Sequence, residues 1–177
     1  MSQTVREGAH VSRMMVRLEM PISPDRKMFR VYDATVDPDA PGGPLPPVGA
    51  LISANREQLW VGSLQEHSAV RLAIEEWDSA PPVFGDGWED EAKAVLYLRG
   101  GLSVDMGSAG RAVERLRLSG GVGDYVVRVH ARNRQEVVRR YDALFQNGIN
   151  PLSDEFQRAR RALDGLEEYL LQFWREA

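Results

Sequence analysis

Three basic side chains on one predicted strand have the chemistry to bind an anion. Arg128, His130 and Arg132 alternate with apolar residues, so a strand would place all three on one face. Guanidinium groups bind carboxylates and phosphates through paired hydrogen bonds, and flanking arginines depress the basicity of a histidine. A role for His130 as a general base would also require an oriented acid partner, which the sequence does not reveal. We expect this row to be exposed, and a row of ordinary solvated surface residues is the alternative.

A loop rich in acidic and aromatic residues is the second candidate site. Trp77, Asp86, Trp88, Glu89 and Asp90 lie in or beside this segment. Aromatic anchors with a charged rim are typical of protein interfaces. The spacing of the acids does not match a calcium-binding loop. We therefore interpret these residues as a partner-binding surface. The alternative is that the two tryptophans cover an open end of the fold.

The other motifs do not indicate catalysis, a metal or a cofactor. The glycines of 120–124 precede a predicted strand, whereas a phosphate-binding loop needs a helix after them. The histidines are not at metal-ligand spacing, and no Gly-x-Ser-x-Gly motif occurs. Cysteine is absent, which excludes disulfides and thiolate sites. We expect a protein that is not an enzyme and that has no cofactor.

The size and composition are those of an ordinary globular protein. The chain has 177 residues, 43% of them hydrophobic and 27% charged, which predicts one domain over 1–177. Charged residues interrupt the first twenty positions, so we expect no signal peptide. No apolar run approaches the length of a membrane helix. Together these features predict a cytoplasmic protein.

Alternating apolar residues predict a fold built mainly from β-strands. The pattern is clear in 13–20, 70–75 and 125–132, and weaker short segments lie between them. Gly100 and Gly101 separate two short apolar segments and indicate a hairpin turn. Frequent turn signals and the lack of a βαβ rhythm favour a β-sandwich or a partly open barrel.

Residues 135–166 form a predicted helical insert of two helices. Val137, Tyr141 and Phe145 recur at helical spacing in the first, and Ser153 is a suitable N-cap for the second. The last segment can continue as a helix, or Gly165 can end the helix before a closing strand. Its aromatic residues favour the strand.

The charges are unevenly distributed along the chain. Residues 33–109 carry thirteen acids and four bases, whereas 110–161 carry eleven arginines and six acids, within a net charge of −4. Two patches of opposite sign would suit a charged protein partner or self-association. Exposed aromatics for base stacking are missing from the basic segment, so we do not expect nucleic acid as the partner. Folding can also mix the two segments and remove both patches.

Two segments carry a resemblance to a known group of proteins. Tyr125–Arg132 reads Tyr-x-Val-Arg-Val-His-Ala-Arg, and 167–174 reads Glu-x-Tyr-Leu-x-Gln-x-Trp. Together they resemble uncharacterised β-rich proteins of high-GC actinobacteria, which are distantly similar to the competence-associated nuclease inhibitors. The resemblance implies that 167–174 is a strand and that the protein binds an enzyme. The helical insert departs from the pattern and puts a shared partner in doubt.

The leading hypothesis is a binding or regulatory protein, such as an inhibitor or immunity-type partner of a basic or nucleic-acid-processing protein. A β-sandwich that binds a small ligand or anion is the second hypothesis. A structural subunit that self-associates is the third. The first two depend on an exposed polar row on the strand around Val127 and Val129.

Overall fold

The computed structural model describes residues 11–37, 43–83 and 87–176. Within these ranges, ten strands and two helices form a mainly β fold of two sheets, as predicted. The strands are β1 (Met14–Ile22), β2 (Met28–Asp33), β3 (Ile52–Ala54), β4 (Gln58–Gly62), β5 (Val70–Trp77), β6 (Asp90–Leu98), β7 (Leu102–Asp105), β8 (Arg111–Leu116), β9 (Gly123–Arg132) and β10 (Glu168–Arg175). The helices are α1 (Arg134–Gln146) and α2 (Asp154–Arg161).

Each sheet has five strands. The first sheet has the order β1-β5-β10-β9-β6, and the second sheet has the order β3-β4-β2-β7-β8. β10 is the central strand of the first sheet, where it pairs in parallel with β5 and antiparallel with β9. The other named strand pairs are antiparallel.

The core lies between the sheets and is built from the apolar side of each alternation. Val127 and Val129 of β9 are fully buried there, as are Leu72 of β5 and Leu171 of β10. Complete burial of such a side chain contributes about 1.5–3 kcal/mol, so the period-two pattern fixes which face of each strand points inward.

The helical insert and the last strand match the preferred sequence interpretation. The Ser153 hydroxyl accepts a hydrogen bond from the Phe156 N–H at 3.1 Å and caps α2. Gly165 has φ +77°, a left-handed conformation that favours glycine and follows the helical segment. β10 then pairs with its neighbours over 168–175, which confirms the closing strand.

The hairpin predicted at Gly100 and Gly101 is wrong. β6 belongs to the first sheet and β7 to the second, so the two glycines connect the sheets. The buried Asp33 carboxylate accepts the Gly100 N–H at 2.9 Å and fixes this connection. Two short apolar segments around a Gly-Gly pair fit either arrangement, because the local pattern does not encode which sheet each strand joins.

The connection from β5 to β6 positions the candidate site. The two strands run parallel and are separated by β10 and β9 in the first sheet. The chain must therefore return across the sheet, over a diagonal of roughly 22 Å given the spacings within and between strands. The described residues of this connection, 78–83 and 87–89, lie on the outer face, away from the core. We call them the crossing loop.

Candidate functional site

The crossing loop brings the two predicted sites together. The carbonyl oxygens of Pro81 and Pro82 lie 3.5 Å from the Arg128 guanidinium. The Trp88 ring lies 5.5 Å from the His130 ring and 5.0 Å from the Arg132 guanidinium carbon. The acidic and aromatic segment and the basic row of β9 are thus two layers of one site.

The expectation that the β9 row is exposed is wrong for two of its three residues. Arg128 is 5% exposed and His130 is 2% exposed. The crossing loop covers them, and Arg128 also packs over the Trp174 ring at 5.2 Å. Polar alternation marks the face away from the core, but it does not reveal a loop that later covers that face. The exposed row on which both binding hypotheses depended is thus not present at Arg128 and His130, and a binding surface on this face would have to lie on the loop above them.

Under the loop, a row of polar side chains crosses the first sheet. We call Arg17, Glu75, Gln172, His130 and Glu91 the outer row. Arg17 donates to Glu75, and the Gln172 amide donates to Glu75 at 2.9 Å. The Gln172 side-chain oxygen lies 3.3 Å from His130 Nε2, and Glu91 lies 3.6 Å from His130 Nδ1. Every strand of the first sheet contributes one residue. The register sets Arg17, Glu75 and Gln172 side by side and His130 beside Glu91, whereas Gln172 reaches His130 diagonally, because it lies opposite Arg128.

The outer row sets the protonation of His130. Burial lowers the pKa of His130 below its ordinary value, and the positive charge of Arg128 acts in the same direction. The Glu91 carboxylate and the hydrogen bond to Gln172 oppose this shift without cancelling it. Neutral His130 is therefore the favoured form under the loop. Gln172 and Glu91 already face its two ring nitrogens, so the histidine is held as part of the structure.

The acids of the predicted partner surface are anchored by β9 and α1. Asp90 accepts a hydrogen bond at 2.9 Å from Arg134, which is 4% exposed. Glu89 accepts the Asn133 backbone N–H at 2.8 Å. In each case one carboxylate oxygen is used, and the described residues give the second oxygen no hydrogen bond. Both carboxylates are thus positioned from below and remain available from outside.

The tryptophans of that surface are only half-buried. The Trp77 indole N–H donates to Glu75 at 2.8 Å, which ties it to the outer row. Trp88 covers His130 and Arg132 with one side of its ring. The suggestion that both tryptophans cover an open end of the sandwich does not describe Trp88, which lies over the middle strands. Asp86, the fifth predicted residue, lies outside the described residues.

A groove of about 270 Å³ runs beside Trp88 along the outer face. Its floor is apolar, formed by Ala73 and Leu170, and its walls carry balanced charges: Arg17, Arg71 and Arg132 with Glu19, Glu75 and Glu168. Arg132, with a side chain 38% exposed, already donates to Glu168 at 2.7 Å. Such a groove has no net preference for an anion, and the anion-binding hypothesis for Arg128, His130 and Arg132 stays a prediction.

The two charge patches mix where the strands pair. Arg134 binds Asp90 at 2.9 Å, and the Arg128 Nε lies 4.0 Å from Glu91, so arginines of the basic segment offset acids of the acidic segment. This happens because β6, from the acidic segment, lies beside β9, from the arginine-rich segment. At these two pairs the carboxylates are partly exposed and the guanidinium groups are buried.

Sequence reasoning missed Glu75, Gln172 and Arg134. Glu75 and Gln172 are 2% and 0% exposed, yet in sequence they read as the polar positions of half-buried strands. Arg134 stands at the start of a helix, where arginine gives no signal of burial. No group of three potential metal ligands converges in the described part of the chain, and none of its helices is long and apolar enough to cross a membrane.

Comparisons with known proteins bear on the fold. No protein-family model matches the sequence, and no curated protein matches it in sequence. Two solved structures are similar. One is described as crocagin biosynthetic gene J, with a TM-score of 0.54 and 17% identity over 95% of this chain and 100% of that chain. The other is ComJ from Bacillus subtilis, an inhibitor of the DNA-degrading activity of NucA, with a TM-score of 0.51 and 12% identity over 94% of this chain and 100% of ComJ.

At these identities the shared property is the fold. The expected distant similarity to nuclease inhibitors thus has a structural counterpart in ComJ, while membership of an actinobacterial sequence family stays a prediction. The chain has the fold found in ComJ and in the crocagin biosynthetic protein.

Proposed function

We propose that this chain is a non-enzymatic inhibitor that binds a basic, nucleic-acid-processing protein. The contact surface in this proposal lies at the start of β6 and consists of Trp88, Glu89, Asp90 and Glu91, and we call it the acidic surface. Trp77 lies at the other end of the crossing loop, roughly 22 Å away. A likeness to an inhibitor of a nuclease over 94% of the chain supports the class of function. The fixed and partly exposed carboxylates of the acidic surface support this location for the contact.

The observation that carries the location is the anchoring of the carboxylates. Glu89 and Asp90 each use one oxygen for a hydrogen bond within the protein. The Asp90 and Glu91 side chains remain 45% and 43% exposed. Carboxylates fixed in advance lose little conformational entropy on binding, and the half-buried Trp88 beside them provides apolar contact area.

Buried arginines beside the acidic surface affect how it would bind. Arg134 binds Asp90 on the core side of β6, and the Arg128 Nε lies 4.0 Å from Glu91 on the outer face, because neighbouring residues of a strand turn to opposite faces of the sheet. These guanidinium groups offset part of the negative charge of the acids and limit the repulsion between them. A basic partner would therefore meet rigid acceptors, and the attraction would act mainly on the association rate and on specificity.

The test combines a nuclease assay with a matched pair of triple variants. Extract of the source cells is fractionated, and purified chain is titrated into the fractions that degrade DNA. We expect stoichiometric loss of DNA degradation by one protein, which is then purified for binding kinetics. The variant Glu89→Gln, Asp90→Asn, Glu91→Gln should associate about tenfold more slowly at low salt and lose most of its salt dependence.

The control variant is Glu57→Gln, Glu66→Gln, Glu114→Gln, whose acids are exposed elsewhere. It changes the net charge by the same amount, so it should retain the wild-type association rate within about twofold if the effect is local. Equal slowing by both variants would show that net charge alone acts and would reject the acidic surface. DNA degradation by the purified chain itself would reject a non-enzymatic inhibitor.

A further inference from the structure

The outer strand β1 has one edge without a partner strand among the described residues. It lies at the end of the first sheet and pairs only with β5. At the other end of this sheet, β6 is partly closed, because its Tyr97 N–H donates to the Arg56 carbonyl at 2.7 Å. β1 is nine residues long, and because β6 is partly closed, β1 is the more open edge of the first sheet.

The register shows which backbone groups point outward from β1. Arg71 of β5 donates its N–H to the Glu167 carbonyl on the β10 side. Backbone direction alternates along a strand, so Leu72 and Ile74 point towards β1, where Met20 and Leu18 face them. Arg17, Glu19 and Pro21 consequently direct their backbone groups to the open edge. Proline lacks an N–H, and an open edge is where a strand tolerates this loss.

The charges of β1 are self-complementary about Leu18. Pairing with a second copy in antiparallel orientation, with Leu18 facing Leu18, would place Arg17 opposite Glu19 of the second copy and Glu19 opposite its Arg17. A shift by two residues along the strand would oppose Arg17 to Arg17 or Glu19 to Glu19. Like charges directly opposite are destabilising, so one register is selected.

We propose that two copies of this chain associate through β1, in the register that centres on Leu18, to form a continuous ten-stranded sheet. Arg17 and Glu19 would exchange backbone hydrogen bonds across the axis. Leu18, Val16 and Met20 would meet on the face towards the core, where they are half-buried in the single chain. Pro21, which lacks an N–H, and the charges of Arg17 and Glu19 disfavour pairing of β1 with other strands or in other registers. They allow the antiparallel register that centres on Leu18. The proposal does not depend on the inhibitor function.

Cysteine scanning tests the proposal because the natural chain contains no cysteine. Single variants Leu18→Cys, Val16→Cys and Met20→Cys are oxidised under the same conditions. Across the axis, cysteines at position 18 would face each other within disulfide reach, at about 4.5–5.5 Å between Cα atoms. Cysteines at 16 or at 20 would lie about 13 Å from their own counterparts, which is too far to bond.

We expect Leu18→Cys to form a disulfide-linked dimer at least about tenfold faster than either neighbour, since only its thiols are within reach. Equimolar Val16→Cys and Met20→Cys should cross-link to each other, because these positions face one another in this register. Adding Glu19→Arg to Leu18→Cys should slow the reaction about tenfold by opposing two arginines. Circular dichroism confirms that each variant is folded.

Two results would overturn the proposal. Equal cross-linking rates at 16, 18 and 20 would indicate random collision, and faster cross-linking at 16 or 20 would indicate another register. Sedimentation of the wild type and Glu19→Arg at high concentration gives a readout without cysteine. An identical monomer in both proteins would also reject association through β1.

Discussion

Two buried polar clusters in this protein have opposite designs. The outer row joins Glu75 and His130 under the crossing loop, and it ends at Arg17 and Glu91, whose side chains are 42% and 43% exposed. The second cluster surrounds Glu167, which is completely buried where β10 begins. Ser63 and Gln65 each donate to Glu167 at 2.8 Å, and the Tyr169 hydroxyl donates to it as well.

The two clusters differ in whether the hydrogen-bond donors to the buried carboxylate are charged or neutral. Glu75 is paired with the guanidinium of Arg17, whereas the hydrogen-bond donors around Glu167 are neutral. Burial raises the pKa of Glu167 above its ordinary value, and the three hydrogen bonds oppose this only in part. The outer row reaches the surface and can therefore take part in recognition. The Glu167 cluster is closed, and its hydrogen bonds hold the loop after β4 against the first residues of β10.

The largest expected effect comes from removing the centre of the closed cluster. Glu167→Ala leaves the buried donors of Ser63, Gln65 and Tyr169 without their acceptor, at about 1–3 kcal/mol for each unsatisfied group. Because the site can relax, we expect a total loss of about 3–5 kcal/mol in the free energy of unfolding, measured with urea.

Glu167→Gln sharpens the same comparison. The hydroxyls of Ser63 and Tyr169 can turn and accept from the new amide, since the carbonyls of Gln65 and Gly62 lie 2.9 Å away as alternative acceptors. The expected loss is about 1 kcal/mol. Glu66→Ala, at an exposed position nearby, serves as the control. If Glu167→Ala and Glu167→Gln lost the same free energy of unfolding, the hydrogen bonds of the Glu167 cluster would not account for its stability.

The two clusters should respond to pH in opposite directions. A raised Glu167 pKa means that the folded state holds the proton longer, so its contribution to stability is complete below the ordinary carboxyl pKa and is lost as pH rises through the raised one. A lowered His130 pKa contributes stability above the ordinary histidine pKa, and this is lost as pH falls through the lowered value.

Urea unfolding of the wild type, Glu167→Gln and His130→Gln between pH 4.5 and 8 measures both effects. On acidification, the wild type should gain stability relative to Glu167→Gln and lose it relative to His130→Gln. Each unit of pKa shift corresponds to about 1.4 kcal/mol. One difference curve is the stability of the wild type minus that of Glu167→Gln against pH, and the other is the same difference for His130→Gln. If the two curves had the same slope, the clusters would not respond to pH in opposite directions.

The smallest expected effect concerns the cover of the outer row. Trp88→Ala removes the ring that shields His130, and the half-exposed position predicts a loss of about 1 kcal/mol in unfolding free energy. The sharper readout is the His130 pKa, followed by NMR. It should rise towards its ordinary value as water reaches the imidazole.

Trp60→Ala, in the second sheet, is the matched control and should leave the His130 pKa unchanged. His130→Gln assigns the resonance among the three histidines. An unchanged His130 pKa in Trp88→Ala would mean that the ring does not cover the row.

Much of the fold could be predicted because local patterns encode it. The alternation around Val127 placed β9 correctly, since an apolar face must point into the core. The closing strand β10 followed from Gly165 and the aromatic residues after it. The hairpin at Gly100 failed, because pairing across sheets depends on partners far away in sequence.

The candidate site was less predictable for a topological reason. Nothing local to Arg128 or His130 indicates that Pro81, Pro82 and Trp88 will lie over them, because this follows from β5 and β6 occupying separated places in the first sheet. The same separation places Asp90 beside Arg134. The burial of Arg128 and His130 could not be predicted from the sequence.

The position of β10 affects how the protein folds during its synthesis on the ribosome. The middle strand of the first sheet is the last of the ten described strands in chain order, so β5 and β9 cannot be joined until residues 168–175 have emerged. Until then the nascent chain exposes one unpaired edge each of β5 and β9 and the core residues that pack against β10. A nascent chain that stops before 168 would keep these features, which make it a natural substrate for chaperones and proteases.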